Sequence, residues 1–85
     1  MKYRLVYTQR AFRDIRRLEE KIKQRIGKAL KRYSKEPLNY ASKLTDPKLG
    51  MYRFRIGDYR VIFDIEDEEI VVLRVGHRRD IYRRL

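Results

Sequence analysis

Arg53, Arg55 and Arg60 flank a Gly57-Asp58 pair, and the chain closes on His77-Arg78 and then Tyr82, with Arg74 shortly before them. Guanidinium groups bind phosphoryl oxygens bidentately and stay cationic, so arginines brought together favour a phosphate ligand. Whether they come together depends on the hairpin. A two-residue Gly-Asp loop, compatible with a type II′ turn, sets Ile56 opposite Tyr59, Arg55 opposite Arg60, Phe54 opposite Val61 and Arg53 opposite Ile62. Tyr52, Phe54, Ile56, Tyr59, Val61, Phe63 and Ile65 then share one face, the one expected to pack on helices, and Arg53, Arg55 and Arg60 share the other. Like charges directly across a ladder are destabilising, which implies a negative ligand on that open face. If Val71, Leu73 and Val75 of the third strand face the core, Arg74 and Arg78 join the same open side. The alternative is a solvated basic face, partly neutralised by Asp64 and the Glu66-to-Glu69 turn.

Stepping outward from these residues, the period-two pattern from Met51 gives three strands, MYRFRI, YRVIFDI and IVVLRV, joined by Gly57-Asp58 and by the acidic EDEE turn. Ahead of them, Lys2 to Tyr7 reads as a short strand and Thr8 as an N-cap. Phe12, Ile15, Leu18, Ile22, Ile26, Ala29, Leu30 and Tyr33 recur at helical steps. An unbroken helix from Gln9 to Tyr33 would be roughly 37 Å long, too long for a domain of this size, so a break is expected near Glu19-Glu20. Ser34 to Gly50 reads as a loop anchored by Leu38, Tyr40 or Leu44, and a short helical turn is expected around Asp80 to Arg84. The fold class is therefore α+β: an N-terminal strand, a helical hairpin, then a three-stranded antiparallel meander with the helices on one face of the sheet.

Composition narrows the partners. The 85 residues suit a single domain spanning 1–85, and Lys plus Arg outnumber Asp plus Glu by 23 to 12, a net charge of +11. Such a charge favours salt-sensitive association with nucleic acid, an anionic membrane surface or an acidic protein. With one His and no Cys, a metal centre is not expected, and no Gly-rich phosphate loop is present, so no cofactor is predicted. The opening lacks the apolar run of a secretory signal, no stretch approaches a membrane span, and a cytoplasmic location is expected.

The run MYRFRIGDYRVIFDI, an acidic turn and VVLRVGHRRDIYRRL resemble the C-terminal half of toxins of the RelE/ParE superfamily, and the preceding strand and helical pair match that family's order. The resemblance implies a basic toxin held inactive by a cognate RelB-type antitoxin. In the RelE branch it implies a ribosome-dependent endoribonuclease acting on messenger RNA. Arg53 and Arg55 fall where many RelE toxins carry two catalytic lysines, Arg60 on the arginine contacting the scissile phosphate, Arg78 on the arginine after the last strand, and Tyr82 on the C-terminal tyrosine. The implied reaction is attack of a ribose 2′-hydroxyl on its own 3′ phosphate, leaving a 2′,3′-cyclic phosphate and a 5′-hydroxyl.

That reaction needs a proton removed, charge stabilised on the phosphorane and a proton delivered to the 5′ oxygen. Arginines serve the middle task but are very poor bases, which leaves His77 as acceptor and Tyr82 to stack on a base or orient the 2′-hydroxyl. Two other readings use the same residues. A ParE-type toxin would inhibit DNA gyrase by binding, and a non-enzymatic RNA-binding module would hold phosphate without chemistry, with Arg74 a further RNA contact.

Overall fold

The computed structural model of the protein describes residues 3–46 and 48–82. The expected strand start at Lys2 and the Arg83-Arg84 end of the expected C-terminal turn lie outside them. Strand β1 (Arg4–Tyr7) leads into helices α1 (Gln9–Arg16) and α2 (Glu20–Tyr33), then strands β2 (Ala41–Lys43), β3 (Tyr52–Ile56), β4 (Tyr59–Glu66) and β5 (Glu69–His77). Together the strands form one five-stranded sheet in the order β1-β5-β4-β3-β2, with β1 parallel to β5 and the other pairs antiparallel.

Thr8 caps α1 as its sequence position suggests, its side chain accepting from the Ala11 N–H at 3.1 Å. The helical break falls at 17–19: Arg17 and Leu18 donate to the carbonyls of Asp14 and Ile15, closing the last turn tightly, and extended Glu19 starts α2. Ile26, Ala29 and Leu30 of α2 pack with Ala11 of α1 over Phe54, Ile56, Val61, Phe63, Ile70, Val72 and Val75 of the sheet. Phe54 and Phe63 stack at 4.2 Å across β3 and β4 at the centre of this core.

The β3–β4 register is the expected one, residue for residue from Tyr52↔Phe63 to Ile56↔Tyr59. Gly57 has φ +60° and Asp58 a negative φ, as a type II′ turn requires. The segment 34–50, expected to be loop, contains a 3₁₀ turn at Pro37–Asn39 and the edge strand β2, whose three residues are too few to show a period. Of its expected anchors, Tyr40 stacks on Tyr33 at 4.3 Å while Leu38 is 59% exposed, and Pro37 is buried as well.

The third strand corrects one expectation outright. Phe63 pairs with Val72 and Ile62 with Arg74, so Leu73 is an extra residue in a β-bulge. Counting back through it reverses the alternation, so Ile70 and Val72 join Val75 on the core face, where Val71 and Leu73 had been expected. The bulge sits where β5 changes its neighbour. Thr8 at the end of β1 donates its N–H to the Val72 carbonyl and its hydroxyl to that of Leu73, and beyond that point α1 covers the edge, Asp14 accepting the Val75 N–H at 3.0 Å.

Candidate nucleic-acid interface

Arg53, Arg55 and Arg60 do stand on the face opposite the helices, with Arg55 directly across from Arg60. That face is less open than the alternation implied. After β5 the chain turns back over it: Asp80 and Ile81 donate to the His77 carbonyl, the Arg78 N–H holds the Asp58 carbonyl at 2.8 Å, and Ile81 settles against Gly76. Ile81 is 2% exposed and Ile62 fully buried, a small second layer of packing on this side of the sheet. Gly50 closes the other flank. A side chain there would meet Ile62 and Leu73 within 3.0 Å, and its φ of +149° favours glycine independently.

This cover fixes the arginines. Arg60 is only 7% exposed and donates from Nη1 to the carbonyls of Gly57 and Tyr59 at 3.0 and 2.9 Å. Arg53 donates from Nη1 to the Tyr82 hydroxyl at 2.9 Å, while its buried Nε has no partner among the described residues. Arg55 is exposed, and Arg78 is half exposed with only a loose approach to Asp58 at 3.8 Å. Burial first, and then the charge of Arg55, push the Arg60 pKa below the ordinary guanidinium value; Arg53 and Arg78 add to this and Tyr82 opposes it. Asp64, on the same face, makes no ion pair with them among the described residues; its carboxylate accepts the Met51 N–H at 2.8 Å. Arg53, Arg55, Arg78 and the Tyr82 phenol thus all lie near enough to act on Arg60, with little anionic compensation, an arrangement suited to a phosphate diester.

Two expected members stand elsewhere. Arg74 pairs with Ile62 in register, yet its side chain leaves the cluster for Asp14 on α1, with Nε 2.8 Å from the carboxylate and both side chains largely buried. The edge cover explains this, because Asp14 sits where β5 has lost its strand neighbour. Sequence reading missed Asp14, although it is the only acid between Thr8 and Leu18. His77 is opposite Tyr59, on the helix face, with its ring edge-on to Tyr59 at 5.3 Å and its Nδ1 accepting the Arg79 N–H at 3.1 Å. It lies on the other side of the sheet from Arg60.

Among the described residues no group of His, Cys, Asp and Glu could hold a metal ion, and no helix is long and apolar enough to cross a membrane.

Comparison with known proteins agrees with this geometry. The ParE toxin family of type II toxin–antitoxin systems matches residues 5–82. Toxin RelG of Mycobacterium tuberculosis is 38% identical over 87 residues, covering 99% of this chain and all of RelG. In the RelBE2 toxin–antitoxin complex of the same organism, one chain superposes with a TM-score of 0.82 at 32% identity, over 92% of this chain and all of that one. The archaeal RelE–RelB complex of Pyrococcus horikoshii OT3 gives 0.74 at 25% identity, over 94% and 99%. The chain therefore belongs to the RelE/ParE superfamily and is the toxin of a type II toxin–antitoxin system.

Proposed function

We propose that the protein is a ribosome-dependent messenger RNA endoribonuclease that inhibits translation, and that a RelB-type antitoxin holds it inactive. The observation carrying this reading is the Tyr82 hydroxyl, bonded to Arg53 and close to Arg60, which also feels the charges of Arg55 and Arg78. The scissile phosphate rests on Arg60, whose two carbonyl bonds hold it ready before substrate arrives. As the 2′-oxygen adds to phosphorus, negative charge grows on the phosphoryl oxygens, and Arg55 and Arg78 lie free to meet it. Tyr82 accepts from Arg53, so its own O–H is available to orient the 2′-hydroxyl and relay its proton to solvent. The 5′ oxygen leaves with a proton from solvent, and the 2′,3′-cyclic phosphate remains. His77 has no part in proton transfer here because it faces the other way. No cofactor enters.

The antitoxin partner follows from the RelB-containing complexes of the two neighbours. It is acidic at least in part and masks the arginine face. A ParE-type action, inhibition of DNA gyrase by binding, is the second reading, favoured by the family whose profile matches. The two separate in one experiment. Messenger RNA is incubated with the protein, with and without translating ribosomes, and its new ends are tested for 5′-hydroxyl and cyclic phosphate; supercoiling by gyrase is followed in parallel. New ends of that chemistry only with ribosomes support the nuclease; intact RNA and blocked supercoiling support the alternative.

A further inference from the structure

Gly57 stands between two guanidinium groups. Its carbonyl accepts from Arg60 Nη1 at 3.0 Å. On its other side lies the planar end of Arg25, from α2, with Nη2, Cζ and Nη1 only 2.6 to 2.9 Å from where a Cβ would stand. Arg25 is exposed and makes no hydrogen bond or ion pair among the described residues, so its guanidinium is seated by packing on this glycine and ties α2 to the tip of the β3–β4 hairpin.

That contact bears on where the Gly57 carbonyl points. Type II′ and type I′ turns share the φ of their first central residue and differ by the turning over of the central peptide, whose carbonyl here belongs to Gly57. In the type II′ form, with ψ of about −120°, this carbonyl points away from the side on which an L side chain would stand; in type I′, with ψ of about +30°, it swings onto that side. The sequence permits both. Either form suits a two-residue hairpin loop, glycine accepts either ψ, and Asp is among the residues that tolerate the positive φ that type I′ asks of position 58. The side a turned carbonyl would enter is the one the Arg25 guanidinium fills. Resting on the reading above that Arg60 holds the scissile phosphate, we propose that Arg25 is a positioning residue for Arg60. By occupying the far side of Gly57 it keeps the turn in the type II′ form, and so keeps the Gly57 carbonyl on Arg60 before substrate arrives. With the peptide turned over, Arg60 retains only its bond to the Tyr59 carbonyl and loses its fixed aim. Arg25 itself touches no substrate.

The test needs neither ribosome nor message. Inorganic phosphate is titrated into the full chain at fixed ionic strength and followed through the NMR signals of the arginine Nε–H groups, for wild type, Arg25→Ala, Arg60→Ala and the pair. Loss of one of two orienting hydrogen bonds should weaken phosphate about fivefold in Arg25→Ala, with no further loss when Arg25→Ala is added to Arg60→Ala. A second variant turns the peptide over without touching Arg25: Gly57→Asn with Asp58→Gly installs the Asn-Gly pair that favours type I′, and should lose about as much affinity. Unchanged affinity in Arg25→Ala or in the turn variant, with phosphate still weakened by Arg60→Ala, overturns the positioning role and leaves the phosphate site standing. An equal loss from Arg25→Ala with and without Arg60 makes Arg25 a phosphate ligand in its own right and overturns the role too. Phosphate bound alike by wild type and Arg60→Ala overturns the site and the positioning role together.

Discussion

Arg53 on β3 and Tyr82 beyond β5 are 29 residues apart in sequence and joined by a 2.9 Å hydrogen bond, the link that holds the C-terminal turn on the arginine face. Tyr82→Phe removes the acceptor and leaves Arg53 short of a partner at Nη1 as well as Nε. The fold should lose about 1 kcal/mol in denaturant unfolding. Cleavage should fall by about a hundredfold, the lower end of what a positioned proton-transfer group supplies.

Arg60 links the site to stability. Folding lowers its pKa, so the charged form is the one the native state disfavours, at every pH below that lowered value. The penalty is lost only as pH rises through the folded pKa, far into the alkaline range, so Arg60 leaves stability flat across pH 5 to 9 and anions become the effective lever. Sulfate and phosphate should raise Tm in the wild type more than in Arg60→Ala, by calorimetry at fixed ionic strength. Equal shifts in both proteins would place the anion elsewhere.

His77 supplies a pH test. It faces Tyr59 on the helix side, and an Asn side-chain oxygen can replace Nδ1 as acceptor for the Arg79 N–H. His77→Asn should therefore leave the shape of the pH–rate profile between pH 5 and 8 unchanged. Loss of a limb in that range would restore the imidazole to proton transfer.

Asp14 holds α1 to the exposed half of β5 through Arg74 and the Val75 N–H. Asp14→Ala strands a largely buried guanidinium and a backbone N–H, and should destabilise the fold by about 3 kcal/mol. Combining it with Arg74→Met should recover part of that loss in a double-mutant cycle.

At the acidic turn, Asp67 adopts φ +56°, a conformation that costs a residue bearing a Cβ. Asp67→Gly should raise stability by up to about 1 kcal/mol with cleavage unchanged, read from thermal melting and the cleavage assay together.

Much of this architecture was legible because alternation is a strict code. Gly57-Asp58 alone set every β3–β4 pair and put Arg53, Arg55 and Arg60 on one face. The code fails at an inserted residue. Leu73 shifts the parity of β5, and nothing in IVVLRV marks it, because apolar residues on both faces hide the change. Arg74 keeps its expected parity but was lost for another reason, since its partner, Asp14, is reached only once α1 lies along the sheet edge. The short turn expected from Asp80 is present, but its course across the arginine face was not legible. A single turn without regular structure carries no period, yet it converts an open basic face into a walled site. His77 entered only by elimination among groups able to accept a proton, although its parity with Val75 puts it on the core face.

The proposed activity is cleavage of RNA by this face on the ribosome. Primer extension on a defined message, with purified protein in the presence and absence of translating ribosomes, tests it directly alongside Arg60→Ala and Tyr82→Phe. Stops are expected that appear only with ribosomes, vanish with Arg60→Ala and weaken strongly with Tyr82→Phe. Full-length extension in every lane, or stops of equal strength from the Arg60→Ala protein, would contradict it.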